Sequence, residues 1–155
     1  MEEAIFMEIA NEIKGMNNQA IRLISQGRLA EAESVCQKAL AMTKHFAYYD
    51  GMAMFFFNLA NLEALRDDLL KAMTYGALCR EMHEKAQTET ARCDELLGSL
   101  AKAAMKKGIE LEKTGMLKEA LDYYYASVPF SEEKYRRAMT KEIELIERVI
   151  NAGNG

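Results

Sequence analysis

The chain has 155 residues, 50% apolar and 28% charged, with a formal charge of −4 from 24 acidic and 20 basic side chains. That length fits about one domain able to bury its own core. The acidic balance argues against nucleic acid, whose binding rests on Lys and Arg neutralising phosphates, and against an anionic membrane surface. Cys36, Cys79 and Cys93 are odd in number and form no CxxC pair, so neither a disulfide framework nor a zinc ribbon is implied. Free thiols are expected, and with them a reducing, cytoplasmic setting. The start of the chain, Met1 to Phe6, is acidic and lacks the pattern of a signal peptide. The longest apolar run, Met52 to Phe57, is too short to span a bilayer.

In chain order, the spacing predicts a first helix over about Glu2 to Gln26, where Ile5, Ile9, Ile13, Met16, Ala20 and Leu23 recur at three- and four-residue steps. Gly15 interrupts it at about 1 kcal/mol relative to Ala, so a close helix contact is expected there. Gly27 ends the helix, and a second follows from about Leu29 to Lys44, joined so tightly that the two form an αα-hairpin. A third helix is read over Phe46 to Arg66, rich in aromatic residues. Asp67-Asp68 breaks the pattern and caps a fourth helix, Leu69 to Lys85. A long helix from about Thr88 to Thr114 pairs with Leu117 to Val128, which stops at Pro129. Ser131 is expected to cap a last helix with Tyr135, Met139, Ile143, Ile146 and Ile150 on one face, and residues beyond it to fray.

One stretch occurs twice. Gly27-Arg28-Leu29-Ala30-Glu31-Ala32 returns, 88 residues later, as Gly115-Met116-Leu117-Lys118-Glu119-Ala120. With Asp67 in the glycine position, Leu69 and Ala72 keep the same spacing in a middle copy. Small residues precede the turn at Ala20, Ala60 and Gly108, and follow it at Ala32, Ala72 and Ala120. A later position holds Cys36, Gly76 and Tyr124, and the next small residue is Ala39, Cys79 or Ser127.

These residues resemble the tetratricopeptide repeat (TPR) family, whose unit is a helix pair with small residues at the crossing points. The turn-to-turn distances of 40 and 48 residues exceed the usual ~34, so the chain looks most like the longer-period TPRs of kinesin light chains and bacterial proteins. The resemblance implies an all-α fold: an α-solenoid of three antiparallel helix hairpins in a right-handed superhelix, plus a C-terminal capping helix. It implies a single domain over 1–155, with repeats at about 2–44, 46–86 and 88–128 and a capping helix at about 131–151.

By the same resemblance, the first helix of each pair lines a concave groove that holds a peptide or partner protein. The positions are Asn17, Asn18, Ile21 and Ser25 in the first repeat, Met54, Phe57, Asn58 and Asn61 in the second, and Lys102, Met105, Lys106 and Ile109 in the third. The two-carboxylate clamp of some family members is incomplete here: Asn58, Lys102 and Lys106 match its later positions, but Asn17 and Ile21 stand at its first.

Little points to chemistry. Neither His45 nor His83 has Glu three residues before it, which removes the Glu-x-x-His signature of bundle di-iron sites. No phosphate loop or nucleophile motif is present. Neither a metal nor a cofactor is implied, and Cys36 reads as a small core residue. The consecutive residues Phe55, Phe56 and Phe57 cannot all face inward, and Phe57 is assigned to the groove. Among the tyrosines 123 to 125, Tyr124 is assigned to the core. The reading is a non-catalytic, cytoplasmic protein-binding module that engages neither nucleic acid nor membrane and is a possible homodimer. The alternative is a self-associating scaffold or an assembly or secretion chaperone of TPR type, whose shorter period fits the chain less well. An enzyme would need a site that the sequence does not display.

Overall fold

The computed structural model describes residues 2–153, which are helical almost throughout. The helices are α1 (Glu2–Ser25), α2 (Leu29–His45), α3 (Tyr49–Leu65), α4 (Leu69–Ala86), α5 (Ala91–Lys113), α6 (Leu117–Ser127) and α7 (Glu133–Gly153), with a 3₁₀ turn at Val128–Phe130 before α7. The architecture is all-α: three antiparallel hairpins, α1/α2, α3/α4 and α5/α6, followed by α7. No strand occurs among the described residues.

Five helix ends are built alike, each closed by a residue with left-handed φ: Gly27, Ala47, Asp67, Gln87 and Gly115, at 73°, 49°, 62°, 58° and 80°. At the first, the Gly27 amide donates to the Ile24 carbonyl (3.0 Å) and the Arg28 amide to the Leu23 carbonyl (2.9 Å). The same pair of bonds recurs at each of the other four. This double closure satisfies carbonyls that the helix leaves open. The first four turns lie 20 residues apart, so one helix and its turn make a unit and two make a hairpin. Asp tolerates the left-handed region better than most residues, which is how Asp67 stands in for glycine. Ala47 and Gln87 give no such signal.

That regularity corrects two expected starts. The third helix begins at Tyr49 rather than Phe46, because Phe46 to Tyr48 form the turn, and α5 begins at Ala91 rather than Thr88. Asp68 caps α4 as expected, its carboxylate accepting from the Lys71 amide at 3.1 Å. Ser131 does not cap α7: its hydroxyl donates back to the Ser127 carbonyl at 2.7 Å. Residues 151 to 153, expected to fray, continue α7, while Met1, Asn154 and Gly155 lie outside the described residues. Gly15 makes no close contact, since a Cβ there would meet nothing within 4 Å.

The chain divides into two compact units, one ending at Cys93 and one beginning at Asp94. In the first, α1 packs on α2 and α3, α2 on α3, and α3 on α4. Ala20, Ala32, Ala39, Ala60 and Ala72 are all fully buried, where a bare methyl lets helices approach closely. Phe55, Leu59 and Leu62 fill the space around them, each worth roughly 1.5–3 kcal/mol of apolar burial. Glu63 is only 2% exposed. It pairs with Arg66 at 2.9 Å, which also reaches Glu33 of α2 at 2.8 Å, so one guanidinium ties two helices.

In the second unit, Tyr124 lies against the backbone of α5 at Gly108, where an added Cβ would come within 2.8 Å of the ring. Its hydroxyl donates to Glu112 at 2.9 Å. Burial and the Glu112 carboxylate both raise the Tyr124 pKa. Met139, Ile143 and Ile146 of α7 complete this core with Ala120. The remaining surface of α7 leaves Leu145 and Val149 exposed.

Candidate binding site

Helical periodicity gathers side chains into one cavity of about 720 Å³ within the first unit. Asn17, Ile21 and Ile24 stand at steps of four and three on α1, and therefore share a face. Met54, Phe57, Asn58, Asn61 and Leu65 repeat the pattern on α3. Ala53 and Ala64 of α3, His83 of α4, and Glu89, Ala91, Arg92 and Cys93 complete the lining. Pockets of this size, mostly apolar with a few convergent polar groups, are the usual form of a binding site.

The polar groups are ordered. Asn58 is 5% exposed, and its Nδ2 donates to Asn17 Oδ1 at 2.6 Å, tying α3 to α1. Asn61 Nδ2 donates to the Phe57 carbonyl at 3.2 Å, leaving its oxygen as an acceptor. The Arg92 guanidinium lies 4.6 Å from the Phe57 ring centroid, within cation–π range. Phe55 and Phe56 are buried, and Phe57 is half-buried on the cavity wall.

Of the groove residues expected from the sequence, Asn17, Ile21, Met54, Phe57, Asn58 and Asn61 come together here. Asn18 and Ser25 are exposed and do not line the cavity. Lys102 and Met105 line a separate cavity of about 240 Å³ within the second unit, beside Asp94, Glu95 and Glu132. Lys106 and Ile109 are exposed and line neither cavity.

The cysteines require a correction. Cys36 is the expected core residue, fully buried, its thiol pushed up to about 12 by burial and then by Glu33. The other two are not free: Cys79 of α4 and Cys93 of α5 are joined by a disulfide, with Cα atoms 6.4 Å apart. The four-residue link Gln87–Thr90 folds the start of α5 back to α4, so a pair with no motif spacing meets in space. His83 stands one turn after Cys79, and ligand atoms of Cys79, His83 and Cys93 all lie within 4.8 Å of one another. The sequence signal was Cys-x-x-x-His on a single helix, which neither a CxxC nor a Glu-x-x-His search detects.

No protein-family model matches the chain, and no curated protein matches it. A solved structure, the type III secretion translocator chaperone SycD of Yersinia enterocolitica, is similar at a TM-score of 0.45 and 14% identity, over 92% of this chain and 88% of that one. No helix among the described residues is long and apolar enough to cross a membrane.

Proposed function

We propose that the protein is a non-catalytic, TPR-type binding module whose first unit holds an extended peptide or partner segment in the α1/α3 cavity. The observation that carries this reading is the convergence of six residues, Asn17, Ile21, Met54, Phe57, Asn58 and Asn61, on one cavity. Ile21, Met54 and Phe57 offer an apolar seat for one side chain of the peptide. The amides of Asn17 and Asn61 suit main-chain donors and acceptors, which every sequence presents. Ordering a flexible segment offsets part of the contact energy, so micromolar affinity is expected. The setting proposed is the cytoplasm, where the Cys79–Cys93 pair would be held reduced. Lys102, Met105, Lys106 and Ile109 are not required by this reading.

The test is selection of a binding peptide from a displayed library, followed by titration against wild type and Ile21→Lys. Ile21 is 49% exposed, so the substitution leaves the fold intact while placing a charge in the seat. At least a tenfold loss supports the reading, and undiminished binding removes it.

A second reading, self-association as a scaffold or chaperone, draws on Leu145 and Val149, half or more exposed on α7. Light scattering separates the two. A stable dimer that dissociates on Leu145→Ser with Val149→Ser favours self-association, and a concentration-independent monomer favours the cavity.

A further inference from the structure

We propose that Cys79, His83 and Cys93, once the disulfide is reduced, form a binding site for one Zn²⁺ ion. The ligand set is two thiolates and one imidazole, the N/S chemistry that zinc favours over oxygen-selecting cations. The arrangement is built rather than incidental. Cys79 and Cys93 are 0% and 1% exposed, and the three ligand atoms already lie within 4.8 Å of one another. On reduction the two sulfurs separate from bonding distance to the wider spacing that two thiolates take around one tetrahedral ion, and the imidazole closes onto the same point.

The second support comes from the partners of the imidazole Nδ1. His83 Nδ1 lies 2.7 Å from the Thr88 hydroxyl, and Thr88 Oγ1 lies 3.4 Å from Asp50 Oδ1. Asp50 Oδ1 is itself 3.5 Å from Nδ1. A zinc-ligating histidine characteristically donates its other ring N–H to such a partner, which fixes the tautomer and raises the basicity of the ligating nitrogen. With Nδ1 protonated toward Thr88, Nε2 carries the lone pair for the metal. Three protein ligands leave one position of a tetrahedral ion open. His83 and Cys93 both line the α1/α3 cavity, so water from that side supplies the fourth ligand.

The two states interconvert by balanced steps. A phosphine reduces the disulfide to two thiols, with water supplying two protons and the oxygen of the phosphine oxide. Zinc binding then releases the two thiol protons to buffer. The site stands independently of the peptide-binding reading, since its ligands and its test involve no peptide.

The experiment uses the full chain carrying Cys36→Ser, which removes the unrelated thiol. It is reduced with a phosphine, desalted anaerobically, and titrated with Zn²⁺ against a chromophoric chelator. The expected result is one ion per chain, with Co²⁺ in its place giving thiolate-to-cobalt charge-transfer absorption. Untreated, disulfide-bonded protein should bind none at this affinity. His83→Ala should weaken binding at least tenfold, and Thr88→Ala by about tenfold through loss of the orienting contact. Both variants keep the cysteine pair, and circular dichroism confirms that each remains folded. Reduced protein that binds no zinc, or His83→Ala that binds as tightly as its parent, overturns the proposal.

Discussion

The two compact units carry the same repeat pattern, yet the groove positions converge on one cavity of about 720 Å³ in the first and do not converge in the second. The first contains two leading helices, α1 and α3, which pack on each other and are tied by the Asn58–Asn17 bond. Groove-facing residues of both therefore converge. The second unit contains one leading helix, α5, so Lys106 and Ile109 have no counterpart within it and stay exposed. Lys102 sits instead beside Asp94, Glu95 and Glu132. Repeat position dictates which way a residue faces, but a cavity needs two neighbouring helices to face it.

The strongest way to break this comparison lies in the second unit. Gly108→Ala forces a methyl against the Tyr124 ring and should cost roughly 1–3 kcal/mol by overpacking, read as a lower midpoint in urea. If stability is unchanged, Tyr124 does not hold α5 and α6 together as described. In the first unit, Asn58→Ala should cost about 1–2 kcal/mol by leaving the Asn17 amide without its partner. A measured loss below a few tenths would mean that the pair does not fasten α1 to α3. Gly15→Ala should act oppositely, raising stability by about 0.5–1 kcal/mol, because the site is helical and open. The same change at two glycines thus gives opposite signs.

The smallest effect is titratable. Glu142 has its pKa raised by a hydrogen bond with Glu112, by partial burial and by the Glu112 charge. A carboxyl raised in the folded state contributes stability that is present below its unfolded value of 4.5 and is lost as pH climbs through the folded value. Glu142→Gln, a mimic of the protonated form, should match wild type near pH 4 and exceed it at pH 7, by about 1 °C in Tm for a group only partly buried. Equal midpoints at both pH values would show that the two carboxyls do not interact.

The helices and their pairing were legible because apolar spacing and small residues at crossing points are dictated by packing. Gly27, Gly115 and Asp67 marked turns, since each accommodates left-handed backbone. The turns at Ala47 and Gln87 were not legible: their residues carry no such preference, and the contacts around them impose the conformation. For the same reason apolar spacing alone places the start of the third helix at Phe46, three residues before its true start at Tyr49. In the candidate site, α1 and α3 positions could be read from periodicity, whereas Glu89, Arg92 and Cys93 reach the cavity through a link whose path no local pattern encodes. The cysteine pair was missed on that ground, and with it the disulfide.

The central claim is that the α1/α3 cavity, and not the α5 surface, receives the partner. It is tested most directly by fluorescence anisotropy of a library-selected peptide against Ile21→Lys and against the double variant Lys102→Ala with Lys106→Ala. The account predicts at least a tenfold loss of affinity for the first and no more than a twofold change for the second. The reverse ordering would contradict it.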